Sequence, residues 1–137
     1  MPGLTGLRGI FGNQNLRQPA DAVATIRAAD LPAAVAKGPV VVEFFNYGCP
    51  FCRAAMPELE KVAREKLGKV KFVRIPLGEA DAQALAGQYG VSMLPGFAVF
   101  HDGEFLGEFG RQGNELVGAD FIKNNVSYAF DSVGVKV

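Results

Sequence analysis

Cys49 and Cys52 are the only thiols in the chain and stand three positions apart. So close a pair closes a tiny loop and restrains the unfolded chain little, which makes a structural crosslink the weaker reading. The stronger one is chemistry between the two sulfurs. If a helix begins at Cys49, the spacing puts both sulfurs on neighbouring positions of one face, within disulfide reach. The first sulfur then lies where unpaired N–H groups and the helix dipole favour an anion, the setting of a nucleophilic thiolate. The second, one turn inside, is placed to attack a mixed disulfide formed at the first. Pro50 suits the first helical position, where an N–H would be unpaired in any case. Half of a zinc site is the rival use of this motif. Zinc needs four ligands, and His101 is the only histidine, so no metal site within one chain and no cofactor beyond the cysteine pair is expected.

The flanking sequence supplies the elements that would position the pair. Val40–Asn46 is apolar except for Glu43, the pattern of a strand covered on both faces. From Pro50 the period becomes helical, with Phe51, Ala55, Leu59, Val62, Ala63 and Leu67 on one face and Glu60 with Arg64 on the other. Pro57 lies inside this helix, and Gly68 suits its end. Val70–Ile75 reads as a second buried strand, so strand, helix and strand form a parallel crossover. Upstream, Val23–Arg27 reads as a short strand, and Asp30 as the N-cap of a helix reaching Lys37. Downstream, a helix is predicted over 81–89. A hairpin turns at Asp102-Gly103 between strands 96–101 and 104–109. A last helix is expected over 114–125 on Leu116, Val117, Phe121 and Ile122. The order predicts an α/β fold with a central mixed sheet flanked by helices.

Length fits one domain: an arm over residues 1–20, the domain over 21–126 and a tail over 127–137. Acidic and basic residues balance at 14 each, so neither nucleic acid nor an anionic membrane is an expected partner. No apolar run is long enough to span a bilayer. The first residues, MPGLTGLRGIF, lack the apolar stretch of a signal peptide, which points to the cytoplasm, or to the periplasm if a signal has been removed.

Two stretches in this order, VVVEFFNYGCPFC and MLPGFAVFHDGEFLGEFG, resemble the two signatures of the thioredoxin superfamily, and the resemblance covers about residues 22–125. It implies the thioredoxin fold, with Pro95 as a cis-proline beside the disulfide and Pro57 as the helix-kinking proline. Gly103 and Gly110 match hairpin glycines. It also implies that Glu43 stands where the family keeps a buried acid, and Arg74 where it keeps a Lys. Apolar neighbours on both sides favour burial of Glu43, which would raise its proton affinity and let it accept the Cys52 proton. Arg74 shares a strand face with Val70 and Phe72, and pairing with Glu43 would partly cancel that rise. Tyr47, Gly48, Met93 and Leu94 are expected to rim the site, with Pro50 and Phe51 completing a docking surface for peptides. The Pro50-Phe51 dipeptide departs from the Gly-Pro of thioredoxins and resembles glutaredoxins.

These readings favour a monomeric thiol–disulfide oxidoreductase acting on protein substrates, more a reductase than an oxidase, recharged by a reductase or other thiol donor. Two alternatives stay open: a glutathione-dependent, glutaredoxin-like reductase, and an interaction subunit that uses its terminal arms to bind a larger assembly.

Overall fold

The computed structural model describes residues 22–137, so the arm expected over residues 1–20 lies outside the described residues. The order is β1 (Val23–Thr25), a 3-10 turn (Ala28–Asp30), α1 (Leu31–Ala34), β2 (Pro39–Phe45), α2 (Pro50–Glu65), β3 (Lys71–Pro76), α3 (Ala80–Gln88), β4 (Gly96–His101), β5 (Glu104–Gly110) and α4 (Ala119–Asp131). One five-stranded sheet runs β1-β3-β2-β4-β5. β3 is parallel to both β1 and β2, β4 is antiparallel to β2, and β5 is antiparallel to β4. The α/β class and mixed sheet match the expectation.

β2 is the central strand, and its alternation divides the core. Val40, Val42 and Phe44 pack on one side with Val73, Ile75, Ala98 and Phe100, covered by Leu31, Val35, Ala82 and Ala86. Val41 faces the other side with Phe72, Phe97 and Val99, covered by Ala55, Leu59 and Val62 of α2 and Ile122, Val126 and Phe130 of α4. By the same alternation Glu43 shares the face of Val41, between the sheet and α2. It and Arg74 are the buried charged residues among those described.

Several expectations need correction at element ends. β1 stops at Thr25. Asp30 holds the N-cap position of α1 as expected, but its side chain makes no capping bond there; its carboxylate instead accepts the Arg27 N–H at 3.1 Å across the preceding 3-10 turn, and α1 ends at Ala34 rather than Lys37. Leu67 is exposed rather than on the buried face of α2, because the helix closes at Glu65 and Gly68, at φ +84°, turns the chain away. The last helix begins at Ala119 rather than Asn114, and Leu116, 70 % exposed, lies outside it. The cause is tertiary: the Glu58 carboxylate on α2 accepts the Ala119 N–H at 3.0 Å and sets the start. The helix then runs past Asn125 to Asp131, since Val126 and Phe130 continue the buried stripe of Ile122. Val135 and Val137 pack against the same core.

Candidate active site

The turn from β2 into α2 is held locally. The Asn46 side chain accepts the Gly48 N–H at 3.3 Å, its carbonyl accepts the Cys49 N–H at 3.1 Å, and Arg53 Nη1 donates to the Tyr47 carbonyl at 3.2 Å. Cys49 is the N-cap of α2, and its sulfur accepts the Cys52 N–H at 3.3 Å. The sulfur thus takes the place of a Ser or Asp cap, and a thiolate there satisfies an otherwise unpaired donor. Both cysteines are free thiols; Cys49 is half-buried and Cys52 fully buried. Pro50 occupies the first helical position.

Across from Cys49 the Leu94–Pro95 peptide bond is cis. The Leu94 carbonyl lies 3.9 Å from the Cys49 sulfur and accepts from its thiol. Around this gap Tyr47 and Met93 are exposed and Leu94 is half-buried. The Tyr47 ring stands edge-on to Phe45 at 4.9 Å between centroids. Gly96 makes the close approach possible: a Cβ there would lie 2.4 Å from Val91 Cγ1 and 2.9 Å from the Met93 carbonyl oxygen.

Beneath α2 lies a buried charge cluster. Glu43 and Arg74 are register neighbours on β2 and β3, with Arg74 Nε 3.5 Å from Glu43 Oε1. Arg74 Nη2 reaches Glu60 Oε2 of α2 at 3.4 Å, so one guanidinium serves two carboxylates. Glu60, expected on the solvent side with Arg64, keeps that pair at 3.9 Å but turns inward. Glu43 is 1 % exposed, and at 3.5 Å its contact with Arg74 is an ion pair at the outer limit of hydrogen-bond distance. Burial therefore outweighs the cation. The Glu43 carboxyl is pushed up to about 7, with Arg74 pulling it down and Glu60 adding to the rise. Burial likewise pushes the Cys52 thiol up to about 12, helped by its contact with Cys49 and by the charge of Glu43. The buried thiol and the buried carboxyl are thus electrostatically linked. Among the described residues no group of three or more His, Cys, Asp and Glu could hold a metal ion, and no helix is long and apolar enough to cross a membrane.

A sequence profile of the family described as Thioredoxin matches residues 22–123. The chain belongs to the thioredoxin family. Thioredoxin C-2 of Corynebacterium nephridii is 33% identical over 73 residues, 53% of this chain and 66% of that protein. The thioredoxin of Bacillus subtilis is 34% identical over 86 residues, 61% of this chain and 81% of its own length. The chain thus spans just under two thirds of the first relative and more of the second. A mutant thioredoxin from Halobacterium salinarum superposes with a TM-score of 0.66 over 89% of this chain and 97% of that one, at 22% identity, a likeness that shows the thioredoxin fold.

Two site residues of this thioredoxin-family chain escape sequence reasoning. One is Glu60, the third member of the buried cluster. The other is Arg111, just beyond β5. Its N–H donates to the Pro95 carbonyl at 3.1 Å and its Nε to the Leu94 carbonyl at 2.7 Å, while Nη1 donates to the Gly113 carbonyl. The guanidinium also lies over the Phe51 ring, 4.1 Å from its centroid. Arg111 therefore clamps the cis-proline loop to the cysteine helix. The signal for it was Gly107: a glycine inside a strand pattern marks a bulge. The register shift between Val99 and Phe100 brings Gly110 opposite Gly96, and so Arg111 beside Pro95.

Proposed function

We propose that this chain reduces disulfides in protein substrates through Cys49 and Cys52, and that a reductase or other thiol donor, in a reducing compartment such as the cytoplasm, restores the dithiol. The observation that carries the reading is the asymmetry of the pair: one sulfur half-exposed at a helix start, the other fully buried one turn inside, its thiol pushed up by burial. In the first step the Cys49 thiolate attacks one sulfur of a substrate disulfide. A Cys49–substrate bond forms, the substrate S–S bond breaks, and the departing sulfur takes the electron pair and then a proton. In the second step Glu43 accepts the Cys52 proton and Cys52 attacks Cys49 Sγ. The protein disulfide forms and the second substrate sulfur leaves as a thiolate. Two electrons pass from protein to substrate. The gap between Cys49 and the cis-proline loop, rimmed by Tyr47 and Met93, is the docking site for an extended peptide.

Insulin reduction in dithiothreitol tests this. The reading predicts turbidity with the wild-type chain, none above background with Cys49→Ser, and a covalent complex with insulin retained by Cys52→Ser. Turbidity no faster than dithiothreitol alone with the wild-type chain overturns it.

A further inference from the structure

The rim of the redox site carries two arginines that form no ion pair among the described residues. The described arginines are Arg27, Arg53, Arg64, Arg74 and Arg111. Three of them lie within 4 Å of a carboxylate: Arg27 at Glu79, Arg64 at Glu60, and Arg74 at Glu43 and Glu60. Arg53 and Arg111 make no such pair among the described residues. Each instead hydrogen-bonds a backbone carbonyl of a rim loop, Arg53 that of Tyr47 and Arg111 that of Leu94. These bonds fix the guanidinium groups without cancelling their charge. The placement flanks the attacking sulfur. Arg53 follows Cys52 on α2 and ties back to the turn that precedes Cys49. Arg111 shares its acceptor with Cys49, so a single carbonyl oxygen stands between sulfur and cation. Glu108 lines the same shallow depression as Arg111 yet makes no ion pair with it.

We propose that Arg53 and Arg111 determine specificity by making the rim a docking surface for acidic segments, so that disulfides flanked by Asp or Glu are the preferred protein substrates. The proposal rests on the exchange function above and names the substrate class for the same site. Complementary charge speeds encounter and disfavours like-charged partners, more than it deepens affinity. The preference therefore belongs in the second-order rate of the first attack, and salt must erase it.

The test uses the reduced full chain and three peptides, each closed by one internal disulfide and differing only in flanking residues: acidic, neutral or basic. Each rate is divided by that of dithiothreitol, an uncharged dithiol, to remove intrinsic disulfide reactivity. At low salt the acidic peptide should react about ten-fold faster than the basic one. At 1 M salt, where the screening length is about 3 Å, the ratio should approach one. Arg53→Gln with Arg111→Gln should bring the low-salt ratio to within about two-fold of one. Arg53→Lys with Arg111→Lys should retain the preference, because Lys keeps the charge while losing the clamp geometry. A low-salt wild-type ratio near one or inverted, a ratio unmoved by salt, or a lysine pair that loses the preference overturns the proposal. Equal rates with all three peptides do so while leaving disulfide exchange standing. Failure to react with any of them overturns the exchange function and this proposal together. A glutamine pair that keeps the low-salt preference also overturns the proposal, and the single variants Arg53→Gln and Arg111→Gln, each expected to lower the ratio, decide the matter where the pair does not fold.

Discussion

Replacing Glu43 by Gln removes a proton-binding site but keeps the shape of a side chain that is 1 % exposed. The carboxyl titrates at 4.5 in its ordinary state and at about 7 in the fold. Between those values the folded chain holds a proton that the unfolded chain has lost, so raising the pH favours unfolding. The stabilisation is complete below the unfolded value and gone above the folded one. At about 1.4 kcal/mol for each tenfold change in proton affinity, the rise corresponds to about 3 kcal/mol. Gln does not titrate and lacks this dependence. Urea unfolding of the reduced proteins, repeated from about pH 4 to about pH 8, gives the comparison directly. The stability of wild type minus that of Glu43→Gln should fall by about 3 kcal/mol across the series, with most of the change between pH 5 and 7. A difference constant to within about 0.5 kcal/mol would refute the raised carboxyl. A difference that grows with pH would show that Arg74, not burial, governs Glu43. The same variant should slow decay of the mixed disulfide and leave the first attack by Cys49 nearly unchanged.

Arg74→Gln leaves Glu43 and Glu60 without their shared cation. It should cost about 3 kcal/mol or more in urea unfolding at pH 8, and less at pH 5, where Glu43 is protonated. Gly96→Ala should cost about 1–3 kcal/mol and slow insulin reduction, because the new methyl meets Val91 and the Met93 carbonyl and displaces the cis-proline loop. Glu58→Ala removes the acceptor for the first N–H of α4 and should cost about 1 kcal/mol by the same urea assay.

The parts of the site set by local pattern are legible in the sequence. The Cys49–Cys52 spacing with Pro50 announces a helix start, and the apolar neighbours of Glu43 and the strand face that Arg74 shares with Val70 and Phe72 point to buried charges that can pair, which the register of β2 and β3 bears out. What stays hidden depends on contacts between elements. Glu60 repeats at a helical spacing that pairs it with Arg64, and only the approach of β3 to α2 turns it toward Arg74. The start of α4 is set by a carboxylate 61 positions away, and the N-cap residue, Gly118, has no side chain to signal it in the sequence. Arg111 reaches the site through a bulge that shifts β5 by one residue; an unbulged hairpin counted outward from Asp102-Gly103 puts Gly110 beside Pro95 instead.

Mass spectrometry of a single turnover tests the central claim most directly. Reduced chain is mixed with an equimolar peptide disulfide, quenched with acid and alkylated. The account predicts one Cys49–Cys52 disulfide for each peptide disulfide reduced, preceded at early times by peptide attached to Cys49 and not to Cys52. Peptide attached first to Cys52, or peptide disulfide lost with both cysteines still alkylated, would contradict it.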